Sequence, residues 1–555
     1  MIQSFILKFN LSFAIVIVLI FFYPIHTFTQ HIVWKKNFGA SSNSFYSITA
    51  VPDGMIAVGS GVCCNLGDWE GVESKGKDDA IVVKFDNSGS VIWKKNFGGE
   101  DGDYFRDVTT VSDGIVAVGY SRFESFNTGD WKGIVNKGYQ DAIIVKYNRN
   151  GSVVWKRNFG GIHNDFFTAV SALSDGVVAV GHSSNASFNT GDWEGIGGKG
   201  GQDAIIVKFD HAGNVVWKKN FGGKDSDYFN FATTVADNIF VVGGSSENSF
   251  NNGDWEYVEG KGSSDAFIIK YDINGSVVWK KNFGGNGSDS FQSVIVVSDG
   301  IVAAGYSFNK SFGNGDWKNT AAKGSIDAII VKFDFAGNIV WKNNFGGTGA
   351  DYYCSVTEVS DGFIAVGWGS YSTVNYGDTE GIIVKYDIEG NEVWNNRFGG
   401  SSYDGFESVI AVSNGVVVVG DSHFDSFGNG DWEGVVAKGF IDAIIVKYSG
   451  AGIGIDEPLQ ELSDIKVYPN PTTGKFTVEW TSGRVNEWAS VEVFDVFGRM
   501  QNAERRMQKK NSPLLEGWQP QAGGVVIDIS HLVAGVYLIK ITTDKGGVVK
   551  KVIKQ

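Results

Sequence analysis

Between residues 104 and 159 the chain passes through four short runs dominated by β-branched, aromatic and small apolar residues: YFRDVTTV, GIVAVGYS, DAIIVKYN and SVVWKRNF. Gly, Asn, Asp and Ser separate them, a composition that predicts β-strands bounded by turns. No helical period appears in the unit. The first two runs are joined by SDG (Ser112–Gly114) and the last two by NRNG (Asn148–Gly151), both tight-turn compositions. The unit therefore reads as four antiparallel strands.

The unit recurs. The phrase FDNSGSVIWKKNFGG, which ends at Gly99, returns with small edits, and its tryptophan falls at Trp34, Trp93, Trp155, Trp217, Trp279, Trp341 and Trp394. By subtraction the steps are 59, 62, 62, 62, 62 and 53 residues. Copies of four strands each predict an all-β fold, a seven-bladed β-propeller of four-stranded blades. A β-solenoid is the alternative, but its coils are usually shorter than these units. The array begins with a lone outer strand, HIVWKKNF (His31–Phe38), and its last copy stops after a third strand, DAIIVKYS (Asp442–Ser449). The first strand is thus expected to close the last blade, leaving no unpaired edge.

Each phrase tryptophan is expected in the wedge between neighbouring blades, where a large ring contributes most. Gly98 and Gly99 would allow the sharp exit to the next inner strand. The two longer connections of each blade should share the face opposite the tight turns, and loops on a rigid frame are where binding usually sits. The longest carries GDW at Trp69, Trp131, Trp193, Trp255, Trp317 and Trp432, while the sixth copy has GDT, ending at Thr379, in a shorter loop. Two readings stand: an exposed ring of tryptophans that stacks sugars, or loop pins in which Trp, the preceding Phe and the Asp hold each loop on its own blade. A second series, Asp103, Asp165, Asp227, Asp289, Asp351 and Asp404, with Asn43 in the first copy, opens each inner strand. It reads either as an acidic ring near the channel that draws a cation or as carboxylates satisfying nearby backbone N–H groups.

Composition narrows the classes. With 555 residues, 43% of them hydrophobic, the chain is folded and long enough for a repeat array. A net charge of −15 argues against nucleic acid or an anionic membrane surface as partner. From Asp456 onward 13 Lys+Arg meet 12 Asp+Glu, so the excess lies in the repeats. Cys63, Cys64 and Cys354 form no disulfide framework and no metal motif. Catalysis needs singular residues; His163, His182, His211, His423 and Glu358 are singular among the copies but show no catalytic or metal spacing. No cofactor is identified, with calcium the candidate cation for the acidic ring, and the metal question stays open. Asp86, Gly89 and Trp93 resemble the tryptophan motif of quinoprotein dehydrogenase propellers, but the usual Thr is missing and those have eight blades, so the match is read as shared blade architecture, with a quinoprotein as the alternative. The array also resembles the broad group of secreted bacterial β-propeller repeat proteins.

The ends address the chain. Lys8 and the apolar run Leu11–Tyr23 predict a signal peptide over 1–29, cleaved after Thr29, with an uncleaved anchor as the alternative. No other stretch is long and apolar enough to span a bilayer. After the propeller (31–449) and a linker (450–462), residues 463–555 change character, with strand-like alternation that predicts a small β-sandwich. YPNP (Tyr468, Pro469, Asn470, Pro471), DVFGR with Gly498, LVAGVYLIKI with Gly535 and Tyr537, and a basic end appear in that order. This tail resembles the C-terminal sorting domain of the Bacteroidetes type IX (Por) secretion system. The polar insert Gln501–Gly524 departs from that pattern and reads as a surface loop. The resemblance implies export through the type IX machinery to the extracellular space or outer cell surface. The expected function is a non-catalytic binding or structural surface propeller with a glycan or protein ligand. The alternative is an extracellular polysaccharide-active enzyme using loop carboxylates, as in glycoside hydrolases.

Overall fold

The computed structural model describes residues 31–449 except 64, 237 and 371–378, and, within 465–555, the strands and a few adjoining residues. The expected signal peptide, the linker, Cys64 and most of the sixth copy's shortened loop lie outside the described residues.

Each copy folds as one antiparallel four-stranded sheet. Blade 1 spans Asn43–Phe97, blade 2 Asp103–Phe159, blade 3 Asp165–Phe221, blade 4 Asp227–Phe283, blade 5 Asp289–Phe345 and blade 6 Asp351–Phe398. The first strands of successive blades touch one another around the ring, which places them at the axis. Blade 7 takes its three inner strands from Asp404–Tyr448 and its outermost from Ile32–Phe38. That strand pairs from Ile32 opposite Tyr448 to Phe38 opposite Ala443. The expected closure by the first strand is what the fold shows, and the seven-bladed ring is complete.

The core lies between blades rather than at one centre. Ile115 and Ala117 of one strand pack with blade 1, whereas Val116 and Val118 of the same strand pack with blade 3. A strand buried on both faces needs apolar residues at every position, which is why GIVAVG and AIIV are continuous rather than alternating. The phrase tryptophans sit half-buried at the outer edge of the joints. Trp155 donates from Nε1 to the His211 carbonyl in the next blade's turn, at 3.0 Å. Gly213 in that turn has φ +78°, and a Cβ there would meet the Trp155 indole at 2.8 Å. The repeated turn glycine is therefore required twice, by its backbone and by the ring against it. On the tight-turn face, buried Lys146 and Lys208 pair with Asp113 and Asp175 of the SDG turns, at 2.9 and 2.7 Å.

The tail forms two further four-stranded antiparallel sheets. Phe476 and Ile527 are buried from one and Val493 and Ile539 from the other, in keeping with a small sandwich. The insert 501–524 is not all loop: Glu504–Gln508 is a strand paired along Gly524–Asp528. Tyr468 ends a strand and Gly535 and Tyr537 lie in another, while Pro469, Asn470, Pro471 and Gly498 lie outside the described residues.

Candidate functional site in the central channel

The structure turns the GDW tryptophans inward. Trp69, Trp131, Trp193, Trp255, Trp317 and Trp432 are each 0% exposed, so they form no stacking ring. Blade 3 shows why. Gly191–Trp193 makes a 3-10 turn that drops the indole onto Asp165, to which Nε1 donates at 3.0 Å. Phe188 packs against the same indole at 5.0 Å. Asp165 also accepts from Ser183 Oγ at 2.5 Å, Ser187 Oγ at 2.9 Å and the Gly161 N–H at 2.9 Å. The acidic series is thus spent on internal bonds, and Asp103, Asp165, Asp227, Asp289, Asp351 and Asp404 are all 0% exposed. Burial pushes the Asp165 carboxyl up to about 6 against those hydrogen bonds. In blades 2, 3, 4 and 7 the two series form one clamp, the long-loop indole N–H donating to the inner-strand Asp, while in blade 5 Trp317 donates to Ser307 and in blade 1 Asn43 stands in the Asp position.

The Asp of GDW clasps blades together. Asp192 accepts the Gly160 N–H at 2.9 Å and pairs with Lys137 at 2.5 Å, the lysine coming from the preceding blade. The same bridge joins Lys261 to Asp316 at 2.6 Å and, across the closure, Lys438 to Asp68 at 2.8 Å. Among the described residues no group of three or more His, Cys, Asp or Glu is placed to hold a metal ion. Cys63 is buried, and Cys354 lies on the channel.

The asymmetric chemistry sits elsewhere. Every inner strand carries a register shift, between Phe45 and Ser47, Phe105 and Asp107, Phe167 and Ala169, Phe229 and Phe231, Phe291 and Ser293, Tyr353 and Ser355, and Phe406 and Ser408. A bulge leaves one residue unpaired and re-aims its side chain. The seven residues so released are Tyr46, Arg106, Thr168, Asn230, Gln292, Cys354 and Glu407, and all line one axial cavity of about 170 Å³. No two are alike, though the Phe or Tyr before each is nearly constant.

One side of this cavity is charged. The Arg106 guanidinium lies 4.4 Å over the Tyr46 ring. Burial, and then the neighbouring Asp421 charge, push the Glu407 carboxyl up to about 7 against the pull of Arg106. Asp421 accepts from Ser44 Oγ at 2.6 Å, and burial pushes it up to about 6. Asp107 accepts from Ser47 Oγ at 2.6 Å and the Val170 N–H at 2.8 Å. Burial, with Glu407 and Asp421 close by, drives the Cys354 thiol upward. Nearer the long-loop face, rings touch from blade to blade. Tyr120 meets Phe166 at 4.9 Å, His182 meets Tyr228 at 5.1 Å, and Tyr306 meets Tyr352 at 4.9 Å. Burial holds His182 down at about 4, so it stays neutral.

Residues 466–555 match the secretion system C-terminal sorting domain, which is the type IX secretion signal. The protein is therefore a secreted β-propeller, addressed to the type IX machinery and to the extracellular space or cell surface. Among the described residues no helix is long and apolar enough to cross a membrane. The chain is 23% identical over 407 residues to the regulatory protein FlaEY of Caulobacter vibrioides, covering 65% of this chain and 40% of that protein. It thus spans two fifths of that relative's length. Solved structures similar to it include a Synechocystis apocarotenoid oxygenase, at 11% identity, 71% and 87% coverage of the two chains and a TM-score of 0.33. A member of the duf4221 family from Bacteroides vulgatus follows at 7% identity, 76% and 98% coverage and a TM-score of 0.30.

Proposed function

We propose that the propeller is a non-catalytic binding module displayed at the cell surface, and that it holds a glycan on its long-loop face. The observation that carries this reading is a pair of exposed aromatics added to the frame in two blades. Phe123 and Tyr139 of blade 2 are 54% and 64% exposed, and Phe424 and Phe440 of blade 7 are 40% and 57% exposed. In each pair the first residue donates its N–H to the second's carbonyl at 2.9 Å. The same bond joins Asn185 to Gly201, Glu247 to Ser263 and Asn309 to Ser325, so the frame does not need aromatics there. Rings that a fold leaves in water, beside polar groups, suit the apolar faces and hydroxyls of sugars. Phe123 and Tyr139 border a cleft of about 730 Å³ with Lys77, Arg122, Gln140 and Asn164.

The test is a glycan panel probed with the full secreted protein and with Phe123→Ala/Tyr139→Ala and Phe424→Ala/Phe440→Ala. Loss of a hot spot worth more than ~1 kcal/mol should weaken binding about fivefold or more. The melting temperature should hold, because these rings are exposed. Absence of any glycan binding, or unchanged binding in both double variants, would refute the reading. Release of cleaved sugar from the panel would favour the polysaccharide-active enzyme instead.

A further inference from the structure

We propose that the central channel receives a small ligand bearing both a carboxylate and an ammonium group, its carboxylate held by Arg106 and its ammonium by Glu407, with the Asp421 charge behind Glu407 adding to the attraction. Arg106 forms no ion pair or hydrogen bond among the described residues; its guanidinium lies 4.4 Å over the Tyr46 ring and attracts Glu407 without bonding it. That stacking leaves the N–H edge of the guanidinium open, the edge that fits a carboxylate in a bidentate fork. The adjacent carboxylate cannot quench it in place, because Asp107 is engaged by Ser47 and Val170.

On blade 7 the situation is reversed. Glu407 occupies the same bulge column as Arg106 and, among the described residues, accepts no hydrogen bond. Asp421, behind Glu407 rather than on the cavity wall, accepts from Ser44 on Oδ2, and its buried Oδ1 has no partner among the described residues. Glu407 is half-buried on the cavity wall, so its unpaired carboxyl is open to a bound donor and gains from one. A purely anionic ligand would meet Glu407 and Asp421, and a purely cationic one would meet Arg106. A dipolar ligand complements both sides.

Thr168, Asn230, Gln292, Ser355 and Phe231 on the rest of the wall carry no charge; the Thr168 hydroxyl and the Asn230 amide hydrogens already donate within the protein, so the charged contacts fall to Arg106 and Glu407. The volume of about 170 Å³ is below the ~300–1,000 Å³ of drug-sized sites, which restricts the occupant to a small molecule such as a free amino acid.

The experiment is titration calorimetry of the full secreted protein with a panel of free amino acids. Each is taken to about 10 mM, ten times the Kd of a weak ~1 mM site. Propionate and propylamine serve as the two halves. At least one amino acid should bind, and each half should bind about tenfold more weakly or worse, as loss of a charge-assisted contact implies. Arg106→Gln and Glu407→Gln should each cost about tenfold or more, with an unchanged circular dichroism spectrum. Arg106→Lys keeps the charge without the fork and should fall between; it decides the matter if Arg106→Gln misfolds. Phe424→Ala/Phe440→Ala should leave this binding intact, which separates the channel from the glycan face. No binding by any amino acid, equal binding of either half, or full retention in the variants would overturn the proposal.

Discussion

Ring closure rests on one non-covalent strand, and a single side chain can test it. Phe38 is 3% exposed and meets Trp69 at 5.2 Å, Phe45 at 5.8 Å and Phe85 at 6.3 Å. Its counterpart in an uninterrupted joint is Phe159, 1% exposed, which meets Trp193 at 4.9 Å, Phe167 at 5.7 Å and Phe209 at 6.4 Å. Truncating a buried Phe to Ala costs ~3–5 kcal/mol in transfer and cavity energy. If the closure strand is seated as firmly as the others, Phe38→Ala and Phe159→Ala should cost the same within ~1 kcal/mol, since the lost contacts match. Urea unfolding of the mature secreted protein reads this as equal midpoint shifts at unchanged slope. If strand Ile32–Phe38 frays in solution, its Phe is already hydrated and Phe38→Ala becomes nearly neutral. That result, beside a full penalty for Phe159→Ala, would refute closure of the ring.

Trp193→Phe removes the indole N–H that Asp165 accepts. It should cost ~1–3 kcal/mol and leave glycan affinity unchanged, a split seen by pairing a urea curve with the panel. The clamp also sets the acid response. Asp103, Asp165, Asp227 and Asp289 are raised by burial from 3.8 to about 6, so in that window the folded state binds more protons than the unfolded one. Stability should therefore rise as pH falls from about 7 toward 4, by up to ~1.4 kcal/mol per pH unit for each group while the two states differ by a full proton. A melting temperature lower at pH 5 than at pH 7 would show that the donors keep these carboxylates ionised. A chain ending near Asp456 should fold but remain in the periplasm, because it lacks the sorting domain at 466–555. Its delivery to the surface, followed by cell fractionation, would contradict that role for the tail.

The blades were legible because their signal is repeated and local. Each strand is bounded by Gly, Asn or Asp, and a phrase with one copy too early and none at the end fits a strand that closes a ring. The GDW loops were harder to read. A tryptophan in a Gly-rich loop looks exposed when its partner is unknown, and the partner here lies 28 residues earlier. The spacing was nevertheless on the page: Asp103 to Trp131, Asp165 to Trp193, Asp227 to Trp255, Asp289 to Trp317 and Asp404 to Trp432 are all 28 apart by subtraction. Two series that keep one distance through every edit are joined to each other more economically than to a ligand. The sixth copy keeps Asp351 but has Thr379 in place of the tryptophan, so that pair is missing there.

The channel was hidden for a different reason. Alternation places residues 104, 106 and 108 on one face of a strand, so Arg106 reads as one more position facing the neighbouring blade. The register shift between Phe105 and Asp107 breaks that count and frees residue 106 from the ladder. Hydrophobic alternation, the signal that exposes the strands, is therefore silent at the one column where it fails. Aligning the copies on the preceding aromatic would have isolated that column, since Tyr, Arg, Thr, Asn, Gln, Cys and Glu follow it in turn. Those seven different side chains share one cavity, so that column is where the proposed ligand would be read.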